Sequence, residues 1–198
     1  MQTDRLLPSK IREDSIPMWM TATDIAAFPE FYNYLGRLRG VLNGWKIPKY
    51  MKKYGCLDKE AFGHALLKGT APQIIFQDYL GGSCAAGTVA FGCFRESSPY
   101  QIGLDQQIVQ DFEDDPTNIT NMERAGNGLL FPRVGRIVLH ELVHWGNFWC
   151  GSPTFDPVSQ IWLGNGEKYE HGEAFDRAVY GKFQRASDVD FEDDTVTP

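Results

Sequence analysis

The sequence predicts an α+β fold in which one long apolar helix packs beside a small mixed or antiparallel sheet, with a second, more polar helix after a long loop. Three observations carry this. Residues 131–150 form an apolar run without an internal break beyond Pro132, long enough for a helix and lacking the polar stripe of a surface one. Three β-prone segments, 73–77, 89–94 and 100–104, are set apart by Gly-rich and turn-forming stretches. After a Pro-, Gly- and Asn-rich stretch over 151–166, residues 167–183 return to helical spacing.

The 198 residues suffice for one domain with a sizeable core, and 42% hydrophobic with 23% charged content is ordinary for a globular chain. Its expected limits are 21–186, between an irregular, charge-scattered arm over 1–20 and an acidic, disorder-prone tail over 187–198. A net charge of −7 argues against a general nucleic-acid binder. No run is long enough to span a bilayer, and the arm lacks the apolar core of a secretory signal peptide. The four cysteines contain no C-x-x-C pair, so a thiolate zinc site is not indicated. Cys84 and Cys93 flank a Gly-rich stretch and are candidates for a disulfide; four buried free thiols are the alternative.

In chain order, Ile25, Phe28, Tyr32, Leu35 and Leu38 fall near helical spacing, with Thr23-Asp24 as a cap and Pro29 marking either a break or a second helix's first turn. Lys46, Lys49, Lys52 and Lys53 among aromatics read as a solvated basic face, with contact to an anionic polymer the alternative. Asp58 caps a short helix closed by Gly69. The three strands follow, and Asp105 caps a helix over 106–112. Asp111, Glu113, Asp114 and Asp115 then form an acidic loop, solvated or calcium-binding. Asn118-Ile119-Thr120 fits a glycosylation sequon, which matters only in a eukaryotic secretory pathway. The loop over 151–166 is long enough to form a rim or lid, with Trp162 as a wall or an anchor.

The chemistry is concentrated in His140-Glu141-Leu142-Val143-His144. Histidines four apart on a helix lie about 40° apart in projection, so both imidazoles reach one ion. Glu141, about 100° round from His140, is free to take a proton from water as general base. This is the arrangement of zinc-dependent peptidases, and zinc is the expected cofactor. In a helix apolar all round, coordination would also satisfy two otherwise costly buried imidazoles.

A catalytic zinc takes three protein ligands and a water. The stretch over 169–181 is the only dense downstream supply of a third. On a helix over 167–183, Phe175, Val179 and Phe183 mark the core side and Asp176 borders it. Glu173 and Tyr180 follow on that flank, while Glu170 and Arg177 point elsewhere. Asp176 is therefore the first candidate, Glu173 the second and His171 a distant third. Tyr180, one turn from Asp176, is a candidate hydrogen-bond donor to a developing oxyanion. Ile102 and Gly103, on the third strand, are candidates to pair with an extended substrate backbone.

His140-Glu141-Leu142-Val143-His144-Trp145-Gly146, followed by Gly172-x-x-Phe175-Asp176-x-x-x-Tyr180-Gly181, resembles the zincin-type metallopeptidase toxin domains of bacterial secretion effectors. These include the C-terminal peptidase extension of type VI secretion spike (VgrG) proteins. A more distant likeness is to the aspzincins, whose third ligand is an aspartate just before a Tyr-Gly pair. The resemblance covers residues 100–183. It implies a zincin-like fold and a peptidase made in the producer's cytoplasm, exported without a signal peptide and acting in the periplasm of a competitor or in a host cell. It further implies a peptide or protein substrate, cell-wall peptide included, a secretion spike protein as carrier and a cognate immunity protein. The alternatives are an intracellular regulatory metallopeptidase and a non-enzymatic module with structural zinc, His171 then being a fourth ligand.

Overall fold

Thr21 opens the first helix, α1 (Ala22–Ala27), by accepting the Asp24 N–H at 3.1 Å. Pro29 then begins α2 (Pro29–Leu38), where its missing N–H falls in the first turn and forfeits no bond. The N–H groups of Glu30 and Phe31 are received by the Glu113 carboxylate at 3.0 and 2.9 Å. One member of the expected acidic loop is therefore a cap for a distant helix. The computed structural model describes residues 20–66, 72–78, 91–125, 130–151, 161–162 and 168–181. The arm over 1–19, Gly69, Cys84, the loop over 152–160, Phe183, the tail and the side chain of Trp162 lie outside what is described.

After a 3-10 turn at Arg39–Asn43, the lysine-rich segment forms α3 (Lys46–Gly55), burying Met51 and Tyr54 and exposing Lys49, Lys52 and Lys53. Asp58 caps α4 (Lys59–Ala65) by accepting from Ala61 N–H at 2.9 Å. The strands are β1 (Gln73–Gln77), β2 (Gly92–Phe94) and β3 (Gln101–Asp105). They form a mixed sheet in the order β1-β3-β2, β1 parallel and β2 antiparallel to β3. Asp105 caps α5 (Gln106–Asp114), accepting from Ile108 N–H at 3.2 Å.

A 3-10 turn at Ile119–Asn121 leads to a small hairpin, β4 (Met122–Arg124) with β5 (Leu130–Pro132), which runs straight into α6 (Arg133–Cys150). The long apolar run is thus a helix, buried at nearly every position from Val134 to Asn147 and closed by Gly151 at φ 78°. It packs on β2 and β3, on α3 and on α7 (His171–Tyr180), which follows a short pairing of β6 (Ile161–Trp162) with β7 (Lys168–Tyr169). The α+β expectation, a helix beside a small mixed sheet, holds. No helix among the described residues is long and apolar enough to cross a membrane.

Three contacts clamp the end of α6 to the end of α3. A Cβ on Gly146 would lie 2.0 Å from the Gly55 carbonyl oxygen, so only glycine permits the crossing. Asn147 donates its side-chain amide to the Tyr54 carbonyl at 2.6 Å, and Cys56 is bonded to Cys150 across 94 residues. Cys93 is in a disulfide as well. The free-thiol alternative therefore fails for these three cysteines; the expected Cys84 partner lies outside the described residues.

Candidate metal centre

The α6 backbone sets the first two donors. His140 and His144, one turn apart, bring their Nε2 atoms to 3.3 Å of each other, with His144 buried and His140 retaining 22% of its side-chain surface. The approach to His140 is narrow, since a Cβ on Gly172 would stand 2.5 Å from its Nε2.

The third donor comes from the N-cap of α7. Glu170 is extended, at φ −67° and ψ 164°, and its carboxylate accepts the Gly172 N–H at 2.7 Å and the Glu173 N–H. Its Oε1 lies 3.2 Å from His140 Nε2 and its Oε2 3.0 Å from His144 Nε2. One ligand atom from each of these three side chains falls within 4.8 Å of the others. The helical projection that directed Glu170 elsewhere fails because α7 begins at His171, not at 167. A cap residue does not follow 100° steps. The signal was present in the sequence: Glu170-x-x-Glu173 ahead of an apolar face resembles a capping box, with Glu where shorter side chains are usual.

Asp176, the first candidate from sequence, is buried and meets His140 at Nδ1, 2.9 Å away, on the opposite edge of the ring from the Nε2 pair. The same Oδ2 receives Arg136 Nη1 at 2.6 Å, and Arg136 also grips Glu123 at 2.5 and 3.2 Å. Sequence reasoning passed over Arg136 and Glu123, although an arginine one turn before His140 in an apolar helix was a visible irregularity. Glu173 pairs instead with Arg177 at 3.1 Å and is half-exposed.

Glu141 is buried beside β2. It accepts the Phe94 N–H, and a Cβ on Gly92 would come within 2.6 Å of its Oε1. Tyr180 makes no contact with the imidazole pair: its ring stacks on Phe131 at 4.3 Å, and burial first, then the Asp176 charge, push its hydroxyl pKa up. Ile102 and Gly103 need a correction too. β3 is the central strand, paired through Gln101–Asp105 with β1 and through Ile102–Leu104 with β2, so it presents no edge to a substrate. Strand order is set by tertiary packing, which local β-propensity does not report.

The charges fit a cation. Burial disfavours a charged His140, but Asp176, Glu170 and Glu141 outweigh it and lift its pKa to about 10. Burial would likewise raise Glu170, yet the His144 hydrogen bond, both imidazoles and the Gly172 N–H hold it down at about 2. Glu141 is pushed up by burial, offset in part by the two imidazoles and the Phe94 N–H. His171, half-buried next to Glu170, is pushed down by burial and by His144. Two imidazoles, one carboxylate and an acceptor behind one ring form a donor set suited to zinc.

Against known families, residues 24–181 match the model described as Metallopeptidase toxin 3, a span that contains every residue of this site. No curated protein and no solved structure gives a match.

Proposed function

The chain belongs to the metallopeptidase toxin 3 family, and from that premise we propose that it cuts peptide bonds with a zinc ion held by His140, His144 and Glu170. The observation that carries this reading is the convergence of the Glu170 carboxylate on both Nε2 atoms, at 3.2 and 3.0 Å. Zinc at such a site supplies Lewis acidity that brings the pKa of water toward 7. Glu141, adjacent and raised by burial, removes the proton from the attacking water and delivers it to the leaving amine. In this reading Asp176 fixes the His140 ring through Nδ1 instead of serving as a ligand, which the 2.9 Å contact supports. Among the described residues the donor group contains three side chains, which favours an open catalytic vertex over a closed structural site.

With β3 occupied on both sides, β2 takes over as the strand beside the substrate, since it runs past Glu141 at the side of α6. The zincin class, a secreted effector role, a spike-protein carrier and a cognate immunity protein belong to the same proposal, as does action in a competitor's periplasm. The Cys56–Cys150 bond supports an oxidising site of action. Substrates are then proteins or cell-wall peptides, both of which present an amide. Expression directed to the periplasm or kept in the cytoplasm of a bacterial host tests this reading. Growth arrest confined to the periplasmic form, and relieved by Glu141→Gln, is the expected result; equal arrest by the Gln variant would contradict it.

A further inference from the structure

We infer that Arg136 is a positioning residue for the metal centre: braced by Glu123, it holds Asp176 against His140 Nδ1 and thereby sets the affinity of the zinc site. This rests on the zinc reading above, and it extends that reading to two residues which touch neither metal nor substrate.

The geometry is a chain of direct contacts. Arg136 lies four residues before His140 on α6, so its guanidinium and the imidazole share a face. Its fork is divided between two carboxylates from different elements, Nε and Nη2 to Glu123 on β4 and Nη1 to Asp176 on α7. One oxygen, Asp176 Oδ2, receives both Arg136 at 2.6 Å and His140 Nδ1 at 2.9 Å, while Oδ1 is buried with no hydrogen-bond partner among the described residues. Asp176 is therefore aimed by Arg136 rather than by a second bond of its own. The side chains of Glu123, Arg136 and Asp176 are 3%, 11% and 2% exposed, so water does not replace a lost partner.

The charges favour the same conclusion. Arg136 pairs with two buried carboxylates at once, with Arg133, 3.7 Å from Glu123, as a more distant second cation. Without Arg136, Glu123 keeps only the more distant Arg133 at 3.7 Å, and Asp176 is no longer held to one orientation. The hydrogen bond that fixes the His140 ring and directs Nε2 toward the metal then loosens.

The experiment is a zinc titration of the full chain against a chromophoric chelator, paired with melting of the metal-stripped protein, for wild type, Arg136→Met, Arg136→Lys and Glu123→Gln. Arg136→Met should weaken zinc binding ~10–100-fold. Lys should recover part of the loss by restoring the charge without the fork, and Glu123→Gln should cost several-fold. A purely structural strut would lower the melting temperature of the stripped protein and leave the zinc affinity of the folded protein at the wild-type value; that result overturns the inference and leaves the zinc site standing. If Arg136→Met does not fold, Arg136→Lys and Glu123→Gln decide by the same criterion. Failure of wild type to bind zinc overturns both the inference and the reading beneath it.

Discussion

Glu170 Oε2 lies 3.0 Å from His144 Nε2, whereas Asp176, six residues further along the chain, reaches the pair only through the far edge of His140. The two carboxylates therefore have different consequences when neutralised. Glu170→Gln should weaken zinc by two orders of magnitude or more, on the scale of losing one of three ligands. Asp176→Asn, which keeps an acceptor for Nδ1–H, should cost ~10–100-fold, and Glu173→Gln should cost nothing measurable. Equilibrium zinc titration checks all three, and a reversed order of Glu170 and Asp176 would exchange their roles.

Glu141 accepts a hydrogen bond from β2 and is not one of the three converging donors. Its amide variant should bind zinc like wild type and lose ~10²–10⁴-fold in kcat, the usual contribution of a general base. A peptide-cleavage assay beside a metal-content measurement separates the two effects. Retained turnover would remove Glu141 from the mechanism.

The metal-free protein should have its stability maximum on the acid side of neutrality. His140 is raised from 6.5 to about 10 by its carboxylate neighbours, so its contribution is complete below pH 6.5 and is lost as pH rises through about 10. Glu170 is depressed from 4.5 to about 2, so its contribution is complete above pH 4.5 and is lost as pH falls toward 2. Glu141, pushed up by burial, adds an opposing cost once it ionises. Melting of chelator-stripped protein should accordingly peak between pH 4.5 and 6.5. Zinc displaces the His140 proton, so its stabilising effect should grow as pH rises. A peak for the stripped protein at pH 8 or above would be inconsistent with this charge arrangement.

The bond between Cys56 and Cys150 closes a 94-residue loop and ties α3 to the helix that bears the imidazoles. In the chain-entropy account a loop of this size is worth about 4–5 kcal/mol. Cys56 is exposed, so a thiol reductant has access to the bond. Cys56→Ser with Cys150→Ser should lower the unfolding free energy by an amount of that order, read as a fall in the urea midpoint against wild type. An unchanged midpoint would mean that the Gly146 crossing and the Asn147 hydrogen bond suffice.

Much of the frame was legible because its signals are local. A long run dominated by apolar residues gave α6, and aspartates at residues 58 and 105 marked two helix starts by capping chemistry that needs only three residues of context. The first cap was displaced by two residues, Thr21 acting where Thr23-Asp24 was expected. What sequence missed is non-local. Nothing in the Tyr100-Gln101-Ile102-Gly103-Leu104 stretch reveals that strands from either side will flank it. The β4–β5 hairpin has three residues per strand, too few for alternation to register. The third carboxylate was lost through a helix start placed four residues early, at 167 rather than His171. Phe175, Asp176 and Val179 are buried as the projection expects, but Glu170 is the cap ahead of the helix and does not follow its steps.

The most direct test of the account is anomalous diffraction at the zinc edge from crystals of the full chain grown with one equivalent of zinc. The account predicts one ion bonded to His140 Nε2, His144 Nε2 and the Glu170 carboxylate at roughly 2.0–2.2 Å, with a water at the fourth position. An ion ligated by Asp176 in place of Glu170, or closed by a fourth protein side chain, would contradict it.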